Sequence, residues 1–249
     1  MSKDNWQKKA KTFRQVKYGS PSLDWTRGLE HRIKLAQKFV EFKDKKVLDV
    51  GCGIGMFLEK FKELGSEVYG IDVDGKKIEK AKENFKNVKT ASSEKLPFRK
   101  GTIDIVWLHE VLEHVEDDKK TLKECFRVLK PGSKLVIFAP NRLWPFETHG
   151  VFWHDKYRFG NIPLVTYFPN FYYKHLTPHV RNYYKKDIYK LIEGVSYKKV
   201  HYQGVFPGFD KLSRKIPVIG PLIKRIFRLL EKTFLNRFGL SHFIVLEKL

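Results

Sequence analysis

Only two cysteines, Cys52 and Cys125, occur among the 249 residues. That is too few for a disulfide scaffold and fits a reducing compartment. Long apolar runs are also missing: no stretch approaches the ~18–20 consecutive apolar residues that a membrane span needs. The start, Met1-Ser-Lys-Asp-Asn5, lacks the apolar stretch of a signal peptide, so the expected location is the cytoplasm. Internal repeats and low-complexity tracts are absent. Acidic residues are scarce, 28 Asp and Glu against 49 Lys and Arg, which leaves a net charge of +21.

The residues that are present describe a globular chain. Hydrophobic residues make up 42% and charged residues 31%, which argues against a disordered tail. The length suits one large domain with appendages. The charge is unevenly spread: residues 1–46 carry +8, residues 47–140 carry +1 and residues 141–249 carry +12. A nearly neutral centre between basic flanks points to an anionic partner, either a nucleic acid backbone or an anionic membrane surface.

The centre alternates strand and helix signals. Strands are expected at residues 46–50, 67–71, 88–91, 103–108 and 134–139, and helices at 56–64, 76–85 and 112–129. An amphipathic helix is expected before them at 26–42. This alternation with short connections calls for an α/β fold with a doubly wound, mostly parallel sheet. After Pro140 the pattern breaks. Residues 141–184 are dense in aromatics without clear periodicity, as in a lid or binding loop. A short helix at 186–193, strands at 197–202 and 242–246, and a basic amphipathic stretch at 221–238 complete the reading. In that stretch Leu222, Ile223, Ile226, Phe227, Leu229, Leu230 and Phe234 fall on one half of a helical wheel. Lys224, Arg225, Arg228 and Lys232 fall on the other, the pattern of an interfacial membrane contact or of a helix packed on the chain's own lid.

The site signal is Asp49-Val-Gly51-Cys-Gly53-Ile-Gly55, which follows a strand and opens a helix. Glycines let the backbone turn tightly and approach a ligand beside free helix N–H groups. Asp72 closes the next strand, where a carboxylate can accept both hydroxyls of a ribose. A nicotinamide fingerprint requires a glycine where Met56 stands, and no Gly-Lys-Ser/Thr marks a Walker loop.

Five ordered motifs then carry a family resemblance: Val47-Leu-Asp-Val-Gly-Cys-Gly-Ile-Gly55, Gly70-Ile-Asp-Val73, Ser93-Glu-Lys-Leu-Pro-Phe98, Ile103-Asp-Ile-Val-Trp-Leu-His-Glu-Val-Leu-Glu-His-Val115 and Val128-Leu-Lys-Pro-Gly132. Together they resemble the class I S-adenosylmethionine-dependent methyltransferases. The resemblance implies a Rossmann-like seven-stranded sheet, with a lid inserted after the fifth strand (141–184) and a helical insertion before the last (207–238). It divides the chain into an N-terminal helical cap (1–45) and a methyltransferase domain (46–249). Asp49, Gly51, Gly53 and Gly55 would then line the methionine and ribose end of S-adenosylmethionine, Asp72 would hold the ribose, and Val73 would pack on the adenine. Where the family usually has an acidic residue near the adenine stands Ser92, which leaves Ser93 as the adenine contact. His109 would lie near the transferred methyl, with Glu110 beside it. Glu147 and His149 are the polar lid residues expected to face the acceptor.

His109-Glu-Val-Leu-Glu-His114 is not a zincin motif, since its histidines are five apart. On a helix Glu110, Glu113 and His114 share a face, where two carboxylates and an imidazole can hold magnesium, manganese or zinc. This Glu-x-x-Glu-His resembles the metal motif of ubiquinone-pathway O-methyltransferases and of enzymes that methylate the terminal ribose of small RNAs. In the latter a further histidine matches His179. The expected function is methyl transfer to the hydroxyl of a small, lipid-like or lipid-linked acceptor, with an anionic membrane surface met through 216–238. The alternatives are RNA ribose methylation with a divalent metal and a non-catalytic binding module. Oligomeric state and the methylated atom stay open.

Overall fold

Alternating apolar positions along the central strands decide the architecture. The computed structural model of the chain describes residues 26–154, 156–209, 215–217 and 219–249. In β1 (Lys46–Val50) Val47 joins one apolar cluster and Leu48 another. β4 (Ile103–His109) divides Ile105 and Trp107 from Val106 and Leu108 in the same way, and β5 (Leu129–Pro140) divides Val136 and Phe138 from Leu135 and Ile137. Strands apolar on both sides need cover on both sides. On the Val47 side it comes from α1 (Thr26–Ala36) and Phe61 of α2 (Met56–Glu63), and on the Leu48 side from α4 (Asp118–Val128) and α6 (Lys185–Leu191).

The sheet has seven strands in the order β10 (Tyr197–Val205), β11 (Ser241–Lys248), β5, β4, β1, β2 (Glu67–Asp72), β3 (Val88–Thr90). Ladders among β1 to β5 are parallel, whereas β11 runs antiparallel to both β5 and β10. α3 (Gly75–Lys82) seats Ile78 and Ala81 against Leu58 and Val88 beside β2 and β3. The chain leaves β1 toward β2 on one side and returns as β4 on the other, so a crevice opens at the carboxyl ends of β1 and β4. The expected Rossmann-like, doubly wound, mostly parallel sheet is present.

Three expected helices change in extent. The helix expected at 112–129 starts only at Asp118, capped by Asp117 Oδ1 accepting from Lys120 N at 2.8 Å. Residues 111–117 form turns instead, because the Leu112, Val115 and Glu116 carbonyls accept from Tyr183 and Arg181 side chains, and Glu110 has φ +52°. The helix expected at 26–42 stops at Ala36, although Val40 and Phe42 still fill the same cluster. The stretch expected to be helical at 221–238 divides into α7 (Ile219–Leu230) and a 3₁₀ turn at Phe234–Phe238.

The lid is built rather than irregular. β6 (Phe146–Glu147) pairs with β9 (Ile162–Pro163), β7 (Val151–Trp153) with β8 (Lys156–Arg158), and α5 (Asn170–Leu176) closes on them. Val151, Val165, Tyr173 and Leu176 make its own small core. Most of the expected N-terminal cap, residues 1–25, lies outside the described residues.

Candidate functional site

The glycine loop after β1 is shaped by contacts that exclude side chains. Gly51 has φ +78°, and a Cβ there would come within 2.5 Å of Val111 Cγ2. Gly55 has φ +94°, and its Cβ would meet the Phe85 ring at 2.5 Å. Gly53 differs: at φ +57° no heavy atom lies within 4 Å of its Cβ position, so backbone lines an open space. Asp72 at the end of β2 faces this loop, its Oδ2 accepting from Gly53 N at 2.9 Å and its Oδ1 from Asp74 N at 2.8 Å. Each oxygen keeps a second acceptor position for a ligand hydroxyl.

Asp49 is buried beside the loop, and its Oδ2 has no hydrogen-bond partner. Burial, and then the Asp72 charge, push its carboxyl well above the usual range. A buried carboxylate in that state fits a cationic ligand group, as the ammonium of S-adenosylmethionine is. Val73 is exposed directly after β2. Ser92 is exposed, and the buried Ser93 hydroxyl bonds Thr121 at 3.0 Å. The residues fit S-adenosylmethionine through the Asp49 orphan and the open Gly53 cradle.

His109, closing β4, packs between Phe57 (4.7 Å between ring centroids) and Phe138 (5.3 Å). Burial, aided by Arg32, lowers its pKa to about 3, so the imidazole is neutral at physiological pH and a weak base. Arg32 of α1 was not singled out in the sequence. It is buried with its guanidinium 5.6 Å from the Phe138 ring centroid, and no motif announced it. Glu110 still faces Glu113 but lies outside the Glu113, His114 and His149 group, and it accepts from Ser241 Oγ at 2.6 Å. Burial would raise its pKa, but His109, the Arg32 charge and the Ser241 hydroxyl outweigh it and hold Glu110 below the usual value.

The next turn carries Glu113 and His114, and the lid brings His149 to them. One ligand atom from each of Glu113, His114 and His149 lies within 4.8 Å of the others. His149 Nε2 is 3.8 Å from Glu113 Oε1, and neither Glu113 oxygen has a hydrogen-bond partner. Burial, then the Glu110 charge, raise the Glu113 pKa well above its usual value. His149 is oriented from behind by Glu147, whose Oε1 lies 3.2 Å from Nδ1 and accepts from the His149 backbone N–H at 2.8 Å. Glu147 is held by Tyr173 Oη at 2.8 Å and Asn182 Nδ2 at 2.9 Å, neither of which had a sequence signal. Burial would raise its pKa, yet the His149 bonds hold it low. His179, expected as a ligand, lies 3.2 Å from the His149 carbonyl through Nε2 and buttresses the lid. Of the four expected metal ligands the structure therefore joins Glu113 and His114, and it adds His149 in place of Glu110 and His179. The shared helical face expected for Glu110, Glu113 and His114 does not exist, since these residues precede α4.

Residues 48–137, from inside β1 to inside β5, match the family model described as a methyltransferase domain. Over that stretch the chain is similar to methyltransferase domains. The chain is 34% identical over 117 residues to a ubiquinone biosynthesis O-methyltransferase of Coxiella burnetii, an alignment covering 45% of this chain and 50% of that protein. A protein of the same name from a Bradyrhizobium species is 36% identical over 105 residues, covering 40% of this chain and 41% of that one. The chain thus spans about half the length of the curated relatives it matches. The fold extends further: a S-adenosylmethionine-dependent methyltransferase from Mesorhizobium loti superposes with TM-score 0.61 at 15% identity, covering 91% of this chain and 99% of that one. Another, from Archaeoglobus fulgidus, gives 0.55 at 23% identity, with 95% and 98% covered. No described helix is long and apolar enough to cross a membrane.

Proposed function

We propose that the protein transfers a methyl group from S-adenosylmethionine to a hydroxyl of a lipid-like or lipid-linked acceptor. The observation that supports this reading most is the Asp49, Gly53 and Asp72 cradle after β1 and β2, and the lid's Glu147–His149 pair beside Glu113 and His114 supports a proton acceptor for the hydroxyl. The names of the relatives support an O-linked, lipid-like acceptor.

S-adenosylmethionine brings a methyl already made electrophilic by its sulfonium, so alignment and water exclusion carry most of the catalysis. In this proposal Asp72 accepts the ribose hydroxyls, Asp49 receives the ammonium, and Val73 and the Ser93 backbone flank the adenine. His109, neutral and wedged between rings, shapes the apolar wall beside the methyl. Glu147 holds Nδ1–H of His149, which leaves Nε2 as the atom that takes the acceptor proton.

The Glu113, His114 and His149 donors also fit a divalent cation, as the unpartnered Glu113 carboxylate indicates. Such an ion would supply a lowered pKa to a bound hydroxyl. Metal analysis of unchelated protein separates the two arrangements. A stoichiometric divalent ion assigns the three side chains to it, and its absence leaves Nε2 of His149 as the base.

Methyl-labelled S-adenosylmethionine incubated with the protein and cell extract, followed by partition, tests the reading. The expected label enters the organic fraction. Label in nucleic acid would favour the ribose alternative, and none in any fraction would return the chain to a binding module.

A further inference from the structure

α7 turns only part of its apolar half to the body. Glu231, just past its end, is 3% exposed and accepts from Phe206 N at 2.9 Å. His31 Nε2 lies 2.9 Å from its other oxygen, and Arg228 pairs with it as well. Gly220 is buried on the same side, and the Phe227 ring packs on Phe206 (4.9 Å between centroids) and Phe209 (4.7 Å). The helix thus meets the body through Gly220, Phe227 and the Glu231 network.

The aliphatic side faces outward. Ile219, Leu222, Ile226 and Leu229 are 51%, 58%, 46% and 55% exposed. At about 100° per residue these four fall within roughly 80° of arc. Arg225 and Lys232 are exposed along one edge of that strip, and Phe234 is exposed in the following turn. A helix in a globular protein normally turns such a strip to the core. Here the core side is occupied by the Glu231 network, so the strip needs a covering from elsewhere.

We infer that this face docks, parallel to the surface, on an anionic lipid bilayer. Bulky aliphatics bordered by cations match an acyl boundary under anionic headgroups. The net +12 over residues 141–249 supplies the long-range complement. No described helix can span a bilayer, which leaves an in-plane contact. A seam of rings, Phe227 on Phe206, Phe206 on Trp144 (6.2 Å) and Trp144 on Phe146 (5.7 Å), connects α7 to the base of the lid. The inference rests on the methyltransferase reading only for its purpose: a docked α7 places the lid where a lipid-linked acceptor emerges.

Flotation of the full chain with phosphatidylcholine vesicles, with and without 30% phosphatidylglycerol, tests it. The expected result is binding to anionic vesicles about tenfold or more above neutral ones, weakened by salt. A Leu222→Ser, Ile226→Ser, Leu229→Ser variant loses that binding with an unchanged circular dichroism spectrum, and so does Arg225→Glu with Lys232→Glu. Asp72→Ala weakens cofactor binding about 100-fold yet still floats, which keeps the two readings separable. Absence of vesicle binding, equal binding by both surface variants, RNA retention without flotation, or a dimer in light scattering that the triple variant abolishes would each overturn the inference.

Discussion

α4 and α7 are both amphipathic helices of similar length, yet they treat their apolar sides oppositely. α4 buries Leu122, Cys125 and Phe126 against the sheet. α7 leaves Leu222, Ile226 and Leu229 outside and buries Gly220, with the Glu231 carboxylate inside just beyond it. The first helix is completed by its own chain and the second is not. The same division runs through the molecule: the half from β1 to β5 is nearly neutral, whereas the half after β5 is basic and holds nearly all of the exposed large apolar side chains among the described residues. In the proposed function the cofactor is held by the first half and the acceptor is met by the second.

Four substitutions or conditions can break that comparison. Leu122→Ala should lower unfolding free energy by about 2–5 kcal/mol in a denaturant titration, because it opens a cavity under the sheet. Glu231→Gln should cost roughly 1–3 kcal/mol by removing charge-assisted bonds, and it should raise amide exchange selectively in 219–230.

His242 reports on the seam between the halves. Its Nε2 lies 2.8 Å from the Tyr183 carbonyl, and burial lowers its pKa to about 4. A histidine whose folded pKa lies below its unfolded value binds more protons when unfolded, so its contribution is intact above pH ~6.5 and declines as pH falls toward 4. His242 adds about 1.4 kcal/mol per pH unit to the slope in that window, and His242→Asn should reduce the slope by about that amount. The smallest change is expected for Leu222→Ala, within about 0.5 kcal/mol of wild type. A cost like that of Leu122→Ala would mean that the α7 strip is already covered.

Much of the first half was legible in the residues. The period-two runs and the turn glycines place β1 to β5 and the loop, since these depend on neighbours a few positions away. Asp72 follows from its place after a strand. The second half depends on distant partners that no local pattern announces. Glu231 is buried because His31, 200 residues earlier, and Phe206 meet it. His149 joins Glu113 and His114 because Glu147, anchored by Tyr173 and Asn182, holds it there, while Ser241 bonds Glu110. The late start of α4 has the same origin, with Arg181 and Tyr183 taking the carbonyls that a helix would have used.

Calorimetric titration with S-adenosylmethionine tests the central assignment most directly. The account predicts one equivalent bound by the wild-type chain and roughly 100-fold weaker binding by Asp72→Ala, the loss expected when charge-assisted hydrogen bonds to the ribose are removed. No binding by the wild type, or equal affinity in both proteins, would contradict it.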